Sequence, residues 1–475
     1  MSDNRCVKSG GYFIPIDSPV LKQIKQRYKC KNPAYAQAHA LHKKNKYVAI
    51  PDEYVYACQT IPLWHSWGGG LMIPRGLDLN EYGLQHIQKT SFPPLRTGDE
   101  PLKFNGDINL RDYQQQGVDA LVQSGEGVIV APCGAGKTMM GIGAMIQYKT
   151  RAVILLHTND LADQWRMRIE SQVRTVDGDV PKVTMYKGSK KDDTGQIVIA
   201  TFQTLSNMRF DELLEFGKQF GMCIVDEAHH VPAVTFSEVM MGMPAKIRLA
   251  LTATPDRPDG LGDIMYWHFG KTLKSITTPE LIKNGNVLAP VVEFTHTGWV
   301  PNRSDDWQKL ITQMCSSKER NEKILNMVED FVSAGRQVLV LSGRVQHCID
   351  LAELTSSRGI SAATLVGKMS AKQRSEVIEL ANNREIKALF ATTVADEGLD
   401  LPGLDTLIMT VPTKSMGRIQ QRVGRIMRRS ENKNEPLVID CVDSGPALYK
   451  MHFKRSNFYN RMGFNVRETS GVRKP

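Results

Sequence analysis

Residues 131–138 read Ala131-Pro132-Cys133-Gly134-Ala135-Gly136-Lys137-Thr138, and they come directly after the apolar run Gly127-Val128-Ile129-Val130. A buried strand that runs into a loop of small residues and then Gly-Lys-Thr is the sequence form of a cradle for nucleotide phosphates. The small residues of 132–136 let backbone N–H groups close around a β-phosphate. Lys137 then places its ammonium between the β- and γ-phosphates, and the Thr138 hydroxyl is a ligand for Mg²⁺. Ala131 stands where the general pattern has Gly. The loop therefore gains its meaning from the residues further along the chain.

Val225-Asp226-Glu227-Ala228-His229 comes after the apolar Met222-Cys223-Ile224, which sets two carboxylates at the C-terminal end of a strand. Open parallel sheets bind their ligands at that end. Phosphoryl transfer needs a metal ion held against the phosphates and a group that positions or deprotonates the attacking water. Asp226 suits the metal and Glu227 suits the water. His229 either couples the nucleotide to the second domain or caps the next helix. Leu251-Thr252-Ala253-Thr254-Pro255 adds two hydroxyls after another strand.

Far along the chain, Gln421-Arg422-Val423-Gly424-Arg425-Ile426-Met427-Arg428 reads as a helix with Arg425 and Arg428 on one face. Two guanidiniums aimed at a γ-phosphate from another domain act as arginine fingers. A basic surface helix is the plain alternative. Upstream, Ala391-Thr392-Thr393-Val394-Ala395-Asp396-Glu397-Gly398-Leu399-Asp400 offers Thr392 or Thr393 to a nucleic-acid phosphate and Asp400 to a ribose.

Bulk properties bound the rest. At 475 residues the chain exceeds one hydrophobic core, and 41% hydrophobic with 23% charged residues is the balance of a globular protein. No apolar run reaches the roughly 18 residues that span a membrane. The start, Met1-Ser2-Asp3-Asn4-Arg5-Cys6, has no apolar stretch behind it, which points to a cytoplasm, a host's if the source is a phage. Eight scattered cysteines with no Cys-x-x-Cys pair predict neither structural zinc nor disulfides, and Cys133 reads as a small loop residue. The net charge of +10 favours a polyanionic partner. Residues 1–105 hold 14 Lys and Arg against 8 Asp and Glu, among them Lys43, Lys44 and Lys46 near Trp64 and Trp67. Those residues suit a surface that grips phosphates and stacks on a base, or a plain core with solvated lysines.

Apolar strand-like runs alternate with helical stretches from about residue 108 to 440, which predicts parallel sheets with crossover helices. The first series is 127–131, 152–157, 197–201, 222–226 and 247–252. The second is 337–341, 362–365, 388–392, 406–411 and 437–441. The break is read near Leu281–Pro290, where a helix ends at Gly and a Pro-bounded segment begins.

Taken in this order, the blocks over residues 108–445 resemble superfamily 2 helicases and translocases of the DEAH type. The resemblance implies an α/β fold of two tandem RecA-like parallel-sheet domains with ATP and Mg²⁺ between them. It implies domains at 106–284 and 285–475, behind a small basic α+β accessory domain at 1–105 that contacts DNA. Leu110-Arg111-Asp112-Tyr113-Gln114 resembles the Q motif, so Arg111 and Gln114 are expected at the adenine. His157-Thr158-Asn159-Asp160-Leu161-Ala162-Asp163-Gln164-Trp165 resembles motif Ia, and Ala200-Thr201-Phe202-Gln203-Thr204-Leu205 resembles motif Ic. Both face nucleic-acid backbone in the family, which implicates Thr158, Gln164, Thr201 and Gln203. Ser342-Gly343-Arg344 resembles motif IV, another backbone contact through Arg344. Gln421 matches a glutamine that helps position the attacking water.

Arg257-Pro258-Asp259-Gly260, Lys31-Asn32-Pro33-Ala34-Tyr35 and Ile73-Pro74-Arg75-Gly76 look most like XPB-type and phage branch-migration helicases. Between motifs III and IV there is no room for the helical thumb of XPB, and no nuclease signature is recognisable. The expected task is ATP-driven remodelling of duplex or branched DNA in recombination, replication or repair, through largely sequence-independent contacts. An RNA-dependent helicase, or an ATP-gated DNA clamp or recruitment protein without translocation, shares these motifs.

Overall fold

Ala152–Leu156, Ile197–Thr201 and Met222–Asp226 are buried at every position. A strand with no polar face needs cover on both sides, which is the condition of a parallel sheet with helices above and below. The computed structural model describes residues 5–8, 11–31, 60–62, 65–67, 69–77, 85–87, 101–227, 231, 233–253, 262–301, 306–392, 401–430 and 433–468. Contacts divide the chain into two units, Met1–Ala131 with Gly136–Ser275, and Pro132–Ala135 with Ile276–Pro475.

In the first unit the described strands run across the sheet as Lys190–Lys191, Val183–Lys187, Ile197–Thr201, Ala152–Leu156, Met222–Asp226, Ile247–Thr252, Glu126–Val130 and Thr272–Ser275. All neighbours pair in parallel except the short first one. In the second unit the order is Ala362–Leu365, Ala388–Ala391, Val338–Leu341, Thr406–Met409, Leu437–Val442, Val291–His296 and Asn465–Glu468, all parallel. The chain is thus α/β with two parallel sheets. Each sheet is wider than the five strands expected. The additions lie toward the margins: Val183–Lys187, Lys190–Lys191 and Thr272–Ser275 in one, Val291–His296 and Asn465–Glu468 in the other. Thr272–Ser275 has no fully buried position, so it lacks the apolar run that marks a central strand.

The helix Thr278–Lys283, which the sequence reading places at the end of the first domain, belongs with the second unit. Gln420 donates to the Thr278 hydroxyl at 3.4 Å, and the Leu288 N–H donates to the Met427 carbonyl at 2.9 Å. Among the described residues no helix is long and apolar enough to cross a membrane.

The N-terminal residues build a mixed sheet, ordered His65–Trp67, Gly70–Ile73, Tyr12–Pro15, Arg5–Lys8 and Gln85–Ile87. Tyr12, Ile14, Ile24, Tyr28, Leu71 and Ile73 are buried in one apolar cluster with Val128, Val153, Cys223 and Phe269 of the eight-stranded sheet and its helices. The junction is made by Arg75 and Gly76. Arg75, 1% exposed, donates from Nε to Glu126 Oε2 at 2.6 Å and from its two terminal nitrogens to the Ala245 and Lys246 carbonyls. Gly76 lies so close to the end of the helix Asp263–Phe269 that an added Cβ would sit 2.5 Å from the Tyr266 carbonyl oxygen. Lys43, Lys44, Lys46 and Trp64 lie outside the described residues.

Removing the Arg75 guanidinium strands a largely buried carboxylate and two carbonyls. Arg75→Ala is expected to cost roughly 3 kcal/mol. The measurement is the urea midpoint by circular dichroism, and an unchanged midpoint would show that this arginine does not hold the module in place.

Candidate active site

The strand Glu126–Val130 ends in the loop 131–136, and the helix Lys137–Tyr148 starts from it. Gly134 and Gly136 have φ of +86° and +78°, which L side chains rarely adopt, so the loop needs glycine there. Gln114 packs on Gly136, where an added Cβ would lie 2.4 Å from its Nε2, and its Oε1 accepts the Arg111 N–H at 2.9 Å. Arg111 is exposed and donates to the Tyr113 hydroxyl. The two residues expected at the adenine thus stand beside the loop. Thr138 is half-buried on the first helical turn.

Lys137 Nζ is 3.0 Å from Glu227 Oε1, with both side chains nearly buried, and 3.3 Å from the Ala131 carbonyl. Asp226 is 5% exposed. Its Oδ1 accepts the Glu227 N–H at 3.0 Å, and its Oδ2 accepts the Trp165 indole N–H at 3.0 Å. Burial, and next the charge of Glu227, push the Asp226 carboxyl upward, while Lys137 and the two hydrogen bonds pull it down. Glu227 is held at φ +51°, a left-handed backbone unusual for a non-glycine residue. Strain of this kind collects where a side chain must point one way.

Parallel order puts the other expected residues along the same edge. Thr201 ends the strand beside Ala152–Leu156, and Thr158 lies just past the end of that strand. Thr158 caps the helix Asn159–Gln172, its hydroxyl accepting the Leu161 N–H. Gln164 is half-buried on that helix and Gln203 is exposed, while Thr201 is buried and bonded to Thr204.

Within the second unit, Arg344 and Thr392 lie just past the paired strands Val338–Leu341 and Ala388–Ala391. Arg344 donates to the Gln308 carbonyl and side-chain oxygens, and Thr392 is 9% exposed. Gln421 and Arg425 are buried on the helix Met416–Ile426. Arg428 lies two residues past the helix end at Ile426, and Met427 between them keeps right-handed helical backbone. Past that end, Met427 O accepts the Leu288 N–H and Arg428 O accepts from Lys433 Nζ at 2.8 Å. His229, Thr393 and Asp400 lie outside the described residues.

Residues 107–257 match the family described as type III restriction enzyme, res subunit, and residues 319–430 match the helicase conserved C-terminal domain. The chain belongs to the superfamily 2 helicases. As such it is an ATP-hydrolysing, nucleic-acid-binding enzyme, with viral helicases and XPB DNA helicases among its relatives. A putative ATP-dependent RNA helicase of Acanthamoeba polyphaga mimivirus is 29% identical over 86% of this chain and 78% of its own. The DNA 3'-5' translocase XPB2 of Sulfurisphaera tokodaii is 26% identical over 73% of this chain and 84% of its own. In fold, the chain is similar to a fragment of a putative HsdR subunit of a type I restriction enzyme from Vibrio vulnificus. That match has a TM-score of 0.56 at 18% identity and covers 75% of this chain and 68% of the other. It is also similar to S. cerevisiae Dbp5 bound to RNA and ADP–BeF3, with a TM-score of 0.54 at 13% identity over 77% and 95% of the two chains.

Two residues beside these positions, one in each unit, carry no signal that the sequence reading could use. Trp165 reads there only as part of a motif, although a buried indole N–H needs an acceptor. His347 lies just beyond Ser342-Gly343-Arg344 and shapes that loop. The Asn321 amide donates to the Cys315 carbonyl, which turns its oxygen toward His347 Nε2 at 2.9 Å. His347 Nδ1 therefore accepts from the Ser342 hydroxyl at 2.8 Å, and Ser342 Oγ accepts the Arg344 N–H.

Burial, helped by Arg320, holds His347 down at about 4. An unfolded histidine titrates near 6.5, so between these values the unfolded helicase binds the extra proton and stability falls as pH drops. The loss on going from above pH 6.5 to about pH 4 is expected to approach roughly 3 kcal/mol. Urea midpoints against pH should show a shallower acid slope for His347→Phe than for the parent; equal slopes would contradict the assignment.

Proposed function

We propose that this helicase couples Mg–ATP hydrolysis to translocation on DNA and so remodels duplex or branched DNA in recombination, replication or repair. The observation that carries the reading is the buried group of Lys137, Glu227 and Asp226 at the sheet edge that also bears Thr158 and Thr201. DNA is favoured because XPB relatives are named as DNA 3'-5' enzymes, from Sulfurisphaera tokodaii and from Kineococcus radiotolerans. The mimivirus relative named as an RNA helicase keeps RNA as the second reading.

Two adjacent carboxylates with one ammonium, in a site where burial raises the carboxyl of Asp226, form a donor set that suits a divalent cation. Thr138 and Asp226 would hold Mg²⁺, which supplies charge neutralisation at the phosphates when bound. Lys137 is paired with Glu227. Phosphate oxygens of entering ATP draw the ammonium away, since they accept more strongly than one carboxylate. Glu227 is then released to orient the attacking water and take its proton. Arg111 and Gln114 take the adenine, residues 132–136 cradle the phosphates, and Asp400 takes the ribose. Gln421 positions the water, and Arg425 and Arg428 act on the charge that develops in the transition state. Thr158, Gln164, Thr201, Gln203, Arg344, Thr392 and Thr393 grip backbone phosphates, which carry no sequence information. Residues 1–105, whose described part packs into the first unit's core, take a DNA-contacting role.

Lys137→Ala is expected to abolish turnover. Glu227→Gln should bind ATP and DNA yet hydrolyse about 10²–10⁴-fold more slowly, and Arg425→Ala should lose about 10³–10⁵-fold in kcat with little change in KM. Parent-like turnover by folded Glu227→Gln would remove it as the base. ATPase stimulation by matched single strands, duplexes, forks and four-way junctions, each as DNA and as RNA, tests the substrate. Greater stimulation by the DNA forms is expected, and greater stimulation by RNA would favour the second reading.

A further inference from the structure

Trp165 stands where the two halves of the sheet edge meet. It is 2% exposed, and its helix comes after Ala152–Leu156, the strand paired on one side with Ile197–Thr201 and on the other with Met222–Asp226. The indole N–H donates to Asp226 Oδ2 at 3.0 Å across 61 residues of sequence. A neutral donor on a buried carboxylate makes a charge-assisted bond, strengthened by the low local dielectric. The same ring lies on Gly141, one turn into the phosphate-loop helix, where an added Cβ would come 2.6 Å from Trp165 Cη2. One side chain thus touches both the carboxylate and the helix that begins at Lys137, and its neighbour in sequence is Gln164.

We propose that Trp165 is a positioning residue for ATP hydrolysis, through which the helix carrying Thr158 and Gln164 sets the orientation of the Asp226 carboxylate. With Oδ1 on the Glu227 N–H and Oδ2 on the indole, the carboxylate has one rotamer. Nucleic acid that shifts or steadies this helix changes how that carboxylate is presented, with no contact at the nucleotide. Partners that orient a ligating group in this way are typically worth about 10–100-fold in metal affinity or activity. The proposal rests on the reading of Asp226 as a metal ligand and of Gln164 and Thr158 as nucleic-acid contacts.

The test uses Trp165→Phe, which keeps a ring on Gly141 and removes the donor, and Gly141→Ala, which displaces the indole and removes no polar group. Binding of a fluorescent ATP analogue is measured in Mg²⁺ and in EDTA, beside ATPase with and without DNA. In both variants the gain in nucleotide affinity on adding Mg²⁺ should fall about 10–100-fold. Affinity in EDTA should stay close to the parent, while KM for ATP rises with the lost Mg²⁺ gain and kcat and the stimulation by DNA drop. Equal losses in EDTA and in Mg²⁺ would show a merely structural role and overturn the proposal, as would parent-like stimulation in folded Trp165→Phe. If Trp165→Phe fails to fold, Gly141→Ala decides by the same two readings. A parent protein that shows neither Mg²⁺-dependent nucleotide binding nor stimulation by DNA would defeat the underlying reading first, and this one with it.

Discussion

Parallel pairing is the constraint on which the rest of the site depends. Each parallel strand must be re-entered from the same end, so every C-terminal end in the sheet opens on one edge. In the first unit that edge carries, strand by strand, Thr201, then His157 and Thr158, then Asp226 and Glu227, then Thr252, then Ala131. Residues spread over more than a hundred positions of sequence become neighbours without any local signal that they should. The ion pair of Lys137 with Glu227 is one product of that order, and the bond from Trp165 to Asp226 is another.

Charge is buried at these edges only where it is matched. In the second unit Arg320 donates from Nε to Asp443 Oδ1 at 2.8 Å, also donates to the Thr410 carbonyl, and the Thr297 hydroxyl closes on the same aspartate. The ion pair is fully buried, and it ties together the segments that lie past the ends of three strands of the second sheet. Such an arrangement costs desolvation and returns geometry: a removed partner leaves an uncompensated charge, so the strand ends cannot drift. His347 extends the same logic with neutral groups. It lies near Arg320 and is kept uncharged, so that Ser342 and Asn321 both keep their hydrogen bonds.

Arg75 gives the N-terminal module a comparable anchor. The module shares one apolar cluster with the ATPase sheet, and the buried Arg75 guanidinium reaches a strand residue and two loop carbonyls of that lobe. It is therefore part of the first unit's core, and cutting the chain near residue 100 would bare that face of the sheet. The segment Ile73-Pro74-Arg75-Gly76, which in sequence is only a family-like piece, owes its residues to this joint.

The sequence by itself determined the central strands, the loop from Ala131 to Thr138, and the pair Asp226-Glu227. Those features are local: an apolar run, a spacing of small residues, a carboxylate at a strand end. Ile197–Thr201, Met222–Asp226 and Ile247–Thr252 are legible at their true limits because burial on both faces leaves no exposed position to blur them. The marginal strands were not legible, since an edge strand such as Thr272–Ser275 has little burial and takes its conformation from its neighbour. Tertiary structure alone brought the Leu288 N–H to the Met427 carbonyl, past the end of the helix of Arg425. It alone joined Trp165 to Asp226 and Arg75 to Glu126. Side chains 61 and 51 residues apart meet only when the sheet order brings them together, and no periodicity in a chain records that order.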